Sequence, residues 1–199
     1  MPGTVRIIGG RMRGRRLRVA DRQGLRPTPD RVRETLFNWL AADLPGARCL
    51  DLFAGSGALG FEAASRGAAQ VTMIERDAGL SQRLAEVTAE LGVSEVVSVT
   101  CADALGWLAG CGSRFDIVFV DPPYASGLVA PVLERLVHGG MVAPGLVYLE
   151  QRSDAAADVP VPVGWRVLRS KTAGEVGYHL IEVGPGSRQG APGHRPASP

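Results

Sequence analysis

Phe115-Asp116-Ile117-Val118-Phe119-Val120-Asp121-Pro122-Pro123-Tyr124 is an apolar run that stops abruptly at an acid, two prolines and an aromatic ring. The run is too short for a helix and rich in β-branched and aromatic residues, so it reads as a buried parallel strand over 115–120. Proline cannot donate to a ladder, so the strand must end before Pro122. In an open α/β sheet the carboxyl ends of the strands face the ligand. A carboxylate, rigid carbonyls and a ring are therefore presented together at one edge.

Outward from this strand the pattern alternates strand and helix. Upstream, a strand over 48–53 enters a Gly-rich turn at 54–60 and a helix to Arg66. A strand over 71–74 ends at Glu75, and a helix over 78–91 stops at Gly92. A strand over 96–100 leads to Cys101-Ala102-Asp103 and a short helix over 104–109. Downstream come a helix near 127–137, a strand over 146–150 and a hairpin of 165–170 with 176–183. Alternating βα units imply a parallel sheet with right-handed crossovers, and the final hairpin adds a strand running the other way. The expected fold is α/β, a Rossmann-like seven-stranded sheet, mostly parallel, with an antiparallel last strand.

Composition sets the outer bounds. The 199 residues are 45% hydrophobic and 21% charged with mean hydropathy +0.06, which suits one globular domain with a sizeable core. No apolar run reaches the length of a membrane span, and the Arg-rich start has no apolar segment behind it to act as a secretory signal. Cys49, Cys101 and Cys111 lack paired spacing and read as buried free thiols of a cytoplasmic protein. No metal-ligand spacing is present, and the chain is expected to act as a monomer.

Charge is unevenly placed. Net charge is only +2, yet ten arginines against two acids up to Arg33 give that stretch +8, leaving −6 for the rest. Such an arm on a mildly acidic body suits a polyanion. Its cations are all Arg, which contacts phosphate bidentately, and they alternate with Gly rather than with Glu partners. A merely solvated surface is the bland alternative. Residues 5–19 read as a β-hairpin with its arginines on one face. After a loop at 20–27, Thr28 and Pro29 start a helix of roughly 12–15 residues, with Val32, Leu36, Trp39 and Leu40 as its core face and Arg31, Arg33 and Asn38 off it. The division expected is a basic extension at 1–45, the main domain at 46–183 and a disordered Gly/Pro/Ser/Arg tail at 184–199.

Asp51-Leu52-Phe53-Ala54-Gly55-Ser56-Gly57-Ala58-Leu59-Gly60 contains Gly-x-Gly-x-x-Gly between a strand and a helix, the setting of a nucleotide-binding turn. Glu75, at the end of the next strand, suits ribose hydroxyls. A nicotinamide or flavin cofactor is the first reading, but Asp51 would repel a pyrophosphate and attract a cation. S-adenosylmethionine has an amino group, a sulfonium, a ribose and no phosphate. Asp51 for its amino end, Glu75 for its ribose and Asp103 near its adenine fit it. Against this stands the reading of each acid as a strand-end cap, strongest for Asp103.

Asp121-Pro122-Pro123-Tyr124 fits methylation of a nucleobase amine. Such an amine is a poor nucleophile because its lone pair is delocalised into the ring. Asp121 can accept one amine hydrogen and the Pro122 carbonyl the other, held by the fixed φ of two prolines. Tyr124 can stack on an extruded base.

These motifs resemble class I S-adenosylmethionine-dependent amino-methyltransferases. Arg6-Ile7-Ile8-Gly9-Gly10 through Leu17, then Leu25-Arg26-Pro27-Thr28 through Leu40, resemble the RsmD family in particular. The resemblance implies transfer to N2 of a guanine in 16S RNA of the small ribosomal subunit. It implies target-amine roles for Asp121, Pro122, Pro123 and Tyr124. It implies cofactor contacts from Asp51, Gly55, Gly57, Glu75 and Asp103, with the adjoining Phe53, Ala54, Ser56, Arg76, Ala104 and Asp121. It also implies RNA contacts from Arg6, Arg11, Arg13, Arg15, Arg16, Arg26, Arg31 and Arg33. Two other readings stand beside it: an amino-methyltransferase acting on adenine N6 of DNA, which would need a recognition insert, and a non-catalytic RNA-binding assembly factor, which would not need both motifs intact.

Overall fold

The computed structural model describes residues 4–18, 29–124, 126–142, 144–155, 159 and 161–184. Arg26, the Thr28 cap, the loop at 20–27 and the tail from residue 185 lie outside them. A short hairpin comes first, β1 (Thr4–Arg6) and β2 (Arg16–Arg18), followed by α1 (Asp30–Trp39). The βα series is β3 (Arg48–Asp51), α2 (Ala58–Ser65), β4 (Gln70–Glu75), α3 (Ala78–Glu90), β5 (Val97–Cys101), α4 (Ala104–Gly110), β6 (Ile117–Val120), α5 (Val129–His138) and β7 (Gly145–Arg152). The hairpin β8 (Trp165–Ala173) and β9 (Val176–Val183) ends it.

The seven-stranded sheet has the order β5-β4-β3-β6-β7-β9-β8. The five strands from β5 to β7 are parallel, and β9 runs antiparallel between β7 and β8. Period-two alternation sends successive side chains to opposite faces, and in the central strand β6 both faces are buried. In β6, Ile117 and Phe119 join the cluster that holds Leu36 of α1, Phe61 of α2 and Leu84 of α3. Val118 and Val120 join the cluster with Leu108 of α4 and Val132, Leu133 and Leu136 of α5. Helices therefore cover both faces, as right-handed crossovers require.

The N-terminal extension shares the first of these clusters. Val5 and Leu17 are register partners and both are buried, whereas Arg6 and Arg16, also paired, point outward. The hairpin is docked by α2. Glu62, fully buried, accepts hydrogen bonds from the backbone N–H of Ile8 at 2.7 Å and Gly9 at 2.8 Å, and from Arg66 Nε at 2.7 Å. Ser65 Oγ accepts from the Met12 N–H at 2.9 Å, and the Arg11 N–H donates to the Ser65 carbonyl at 2.8 Å. A Cβ on Gly10, whose φ is +72°, would sit 2.0 Å from the Ser65 carbonyl oxygen, so only glycine permits this approach.

Several expectations need correction. Helix α1 is 10 residues long and starts with Pro29 at its N-cap, without a side-chain cap bond. Its apolar stripe is wider than four positions: Phe37 is buried, and so is Arg33. Arg33 was expected on an outer face, free to touch RNA. Instead its Nη2 donates to the Arg6 carbonyl at 2.9 Å and to Asp30 Oδ1 at 2.6 Å, and its Nη1 lies 3.8 Å from Glu62 Oε2. The acid on α2 draws this cation inward, because a buried charge is tolerated only when paired. The expectation of buried thiols holds for Cys49 and fails for the other two. Cys49 is buried, which pushes its pKa up to about 12 with Asp116 and Asp51 adding to the effect, so it is inert. Cys101 is exposed, since it ends β5 at the sheet margin, and Cys111 is half-buried. No helix among the described residues is long and apolar enough to cross a membrane.

Candidate active site

The sheet order converts acids far apart in sequence into neighbours. Across β5, β4, β3, β6 and β7, in that spatial order, the carboxyl ends carry Asp103, Glu75, Asp51, Asp121 and Glu150. One carboxylate thus stands at or near the carboxyl end of each of five adjacent strands, Glu150 two residues before the end of β7. Such a row repels phosphate and suits a cationic ligand.

Asp51, the last residue of β3, is only 2% exposed and accepts from the Gly60 N–H at 3.1 Å. Burial raises its pKa to about 7. The Gly60 and Phe53 amides pull it down, and Glu75 and Glu150 push it further up. The turn that follows is tight. Gly57 has φ +75°, and a Cβ there would lie 2.5 Å from the Phe61 ring and 2.7 Å from Leu84. Gly57→Ala is therefore expected to destabilise the fold by about 1–3 kcal/mol, read as a lowered thermal midpoint. An unchanged midpoint would mean the turn relaxes freely.

Glu75 braces this turn. Its Oε2 accepts from the Gly55 N–H at 2.9 Å and its Oε1 from the Asp77 N–H at 2.8 Å. Each oxygen retains a further lone pair, so two hydroxyls can still be bound. Asp103 Oδ1 caps α4 by accepting from the Gly106 N–H at 2.9 Å. The acid thus caps the following helix, not the strand end considered for it, and its other oxygen remains available to a ligand. Phe53 and Ser56 are half-buried, Ala54 and Ala104 are buried, and Arg76 is exposed.

Asp51 pairs in register with Phe119. Asp121 follows two residues later, roughly 7 Å further out along the edge and on the same face. It is half-buried, Pro122 is buried, Pro123 is exposed and Tyr124 is 40% exposed. The Pro123 carbonyl is taken by the Ser126 N–H at 2.9 Å, whereas no described donor reaches the Pro122 carbonyl. Of the two proline carbonyls, the one assigned to the amine has no donor among the described residues.

Glu150 was not singled out as a site residue in the sequence. It is 2% exposed and accepts from the Tyr148 hydroxyl at 2.6 Å. Tyr148 pairs with Phe119, so Glu150 stands level with Asp121 on the adjoining strand. Burial, then the Glu150 charge, holds the Tyr148 phenol well above its usual range. The only sequence signal for Glu150 was an acid at the end of the strand read over 146–150, which carries no meaning without the strand order.

Residues 5–182 match the family described as conserved hypothetical protein 95. Over 184 residues, 90% of each chain, the sequence is 48% identical to Ribosomal RNA small subunit methyltransferase D of Escherichia coli. The chain belongs to the RsmD family. The Haemophilus influenzae methyltransferase D is 41% identical over 184 residues, 90% of this chain and 94% of that one. The solved structure of the Escherichia coli protein yhhF, described as a methyltransferase, superposes with TM-score 0.83 at 46% identity, covering 92% of this chain and 99% of that one. The fold is accordingly that of a class I methyltransferase.

In this RsmD-family chain the eight arginines expected to contact RNA fall into three groups. Arg6, Arg11, Arg13, Arg15, Arg16 and Arg31 are exposed. Arg33 is buried in its ion pairs, and Arg26 lies outside the described residues. Among the described residues no cluster of three His, Cys, Asp or Glu is placed to hold a metal ion.

Proposed function

We propose that the chain transfers a methyl group from S-adenosylmethionine to the exocyclic N2 amine of a guanine in the 16S RNA of the small ribosomal subunit. The observation that carries this reading is the Asp121–Pro122 acceptor pair standing beside Asp51 in a phosphate-averse row of acids. When bound, S-adenosylmethionine supplies an electrophilic methyl group on a sulfonium. The buried, desolvated Asp51 carboxylate suits its ammonium end, and the open lone pairs of Glu75 suit the ribose hydroxyls. Asp103 lies where adenine would follow. Gly55 and Gly57 let the backbone approach closely, with Phe53, Ala54, Ser56, Arg76 and Ala104 along the same sheet edge.

Asp121 accepts one hydrogen of the target amine and the Pro122 carbonyl the other, which turns the nitrogen lone pair toward the methyl carbon. Pro123 stiffens the step, and the exposed Tyr124 ring offers a stacking surface for the base. The new N–C bond would form as the methyl–sulfonium bond breaks and leaves a neutral thioether, and the surplus proton of the amine would pass to Asp121 or to water. Positioning supplies most of the acceleration in such an in-line displacement. The exposed arm arginines hold RNA phosphates. The choice of guanine N2 rests on the family resemblance, and that of small-subunit RNA also on what the curated relatives are named for. A ribosomal substrate implies a cytoplasmic protein, acting here as a monomer.

The deciding experiment is transfer of a labelled methyl group to small ribosomal subunits, free ribosomal RNA and DNA, followed by nucleoside analysis. Label in N2-methylguanosine from the RNA is expected. Label in N6-methyladenosine, or in DNA alone, would overturn the assignment. Replacing Arg11, Arg13 and Arg15 together with alanine is expected to weaken RNA binding and to lower the slope of log K against log salt by about two to three. An unaltered slope would remove the arm from the phosphate contacts.

A further inference from the structure

The described hairpin of the arm, residues 4–18, is docked away from the acids. Its Gly-rich turn is bonded to Ser65, the last residue of α2, and Arg15 Nη2 donates to the carbonyl of Glu90, the last residue of α3, at 3.3 Å. Helix α3 begins beside Glu75 and has 13 residues, so Glu90 lies about 20 Å from the cofactor edge. Between the arm and α3 runs a groove of about 340 Å³, within the size range of small-ligand sites.

The lining of this groove has two parts. Arg15, Arg16 and Arg83 supply three cations; Glu90 lines the groove and Glu86 pairs with Arg83 from beside it, which leaves one net positive charge. Leu17 and Val87, both buried, and the half-buried Leu91 supply an apolar floor. Arg83 is held across the wall by Glu86 and Glu90, each at 2.9 Å, so its guanidinium is oriented before any ligand arrives. A fork of guanidinium groups above an apolar shelf matches one nucleotide, with phosphate on the arginines and sugar or base on the shelf. The other cavity, of about 640 Å³, carries Asp43, Asp116 and Glu182 and no cation, so it does not suit a polyanion.

We propose that this groove is a second RNA anchor, taking a substrate nucleotide about 20 Å from the amine that is methylated. The inference rests on the RNA reading above and extends it. The chain would require an extended substrate, gripped at the catalytic edge and again on the far side of α3. Arg83, which lies outside the Arg-rich front stretch, becomes part of the RNA footprint.

The test uses the full chain and two RNAs carrying the same target guanine, one of about six nucleotides and one long enough to reach past α3. Binding is followed by fluorescence anisotropy over a range of salt. The wild type is expected to bind the long RNA at least tenfold more tightly than the short one. Arg83→Glu, and separately Arg16→Glu on the other wall, are expected to erase most of that gain. Both side chains lie on the surface, and two variants on different elements guard against one failing to fold. A gain that persists in both variants would overturn the anchor. A gain absent from the wild type would overturn the anchor while leaving methyl transfer intact, whereas a wild type that bound neither RNA would overturn the RNA reading and the anchor with it. Displacement of the long RNA by polyglutamate as readily as by unlabelled RNA would reassign the groove to an acidic peptide.

Discussion

Asp121→Ala is expected to lower methyl transfer by about 10²–10³-fold while cofactor affinity changes only a few-fold. The magnitude is that of losing one preorganised polar contact to a reacting group. The asymmetry follows from geometry. Asp121 stands two residues beyond the position level with Asp51, toward the target rather than into the turn. Without its carboxylate, the amine has one fixed acceptor, the Pro122 carbonyl, and its lone pair is no longer aimed. Labelled methyl transfer under saturating substrate, beside calorimetric cofactor binding, separates the two effects. Near-normal transfer would sink the two-acceptor geometry, and a parallel collapse of cofactor binding would make Asp121 a cofactor ligand first. Asp121→Asn is the informative companion, because it keeps one accepting oxygen but turns an NH₂ toward the amine in the other rotamer.

The second large effect concerns Asp51. Its carboxyl ionises near 7 in the fold, against 3.8 ordinarily, because it is buried. The folded state therefore holds this proton more tightly than the unfolded state does. Stability from this group is fully present below about pH 4, declines as pH rises toward 7 and is flat above. About three pH units correspond to roughly 4 kcal/mol at most. Asp51→Asn is thus expected to raise the thermal midpoint at pH 8 and to leave it nearly unchanged at pH 4. The same substitution should abolish measurable cofactor binding, since the counter-charge for a cationic ligand is gone. In the unsubstituted chain, affinity should fall up to tenfold per unit below pH 7 as Asp51 protonates. A flat affinity between pH 5.5 and 8 would show that the carboxylate does not meet the cation. Binding energy and folding energy are opposed at this residue, as is common where a charge is kept dry for a ligand.

Much of this was legible in order along the chain. Alternating βα units, the Gly turn after Asp51 and the proline stop after Asp121 are local signals, since each depends on neighbours within one turn or strand. The strand boundaries moved by only a few residues, as at 115–120, where regular pairing begins at Ile117. Arg33 was not legible. Its periodic position gave no reason to bury a cation, and the reason lies in Glu62, 29 residues on and brought alongside by the packing of α1 over α2. Glu150 was equally silent as a site residue.

The amino-acid sequence by itself determined the βα order, the two chemical motifs and the arginine excess at the front, because backbone propensity, side-chain period and residue chemistry are properties of short segments. Only the tertiary structure decided that five acids form one row, that Arg33 is drawn in by Glu62, and that the described hairpin of the arm sits at the far ends of α2 and α3. Those facts depend on strand order and on which surfaces bury each other, and both are set by contacts between residues distant along the chain.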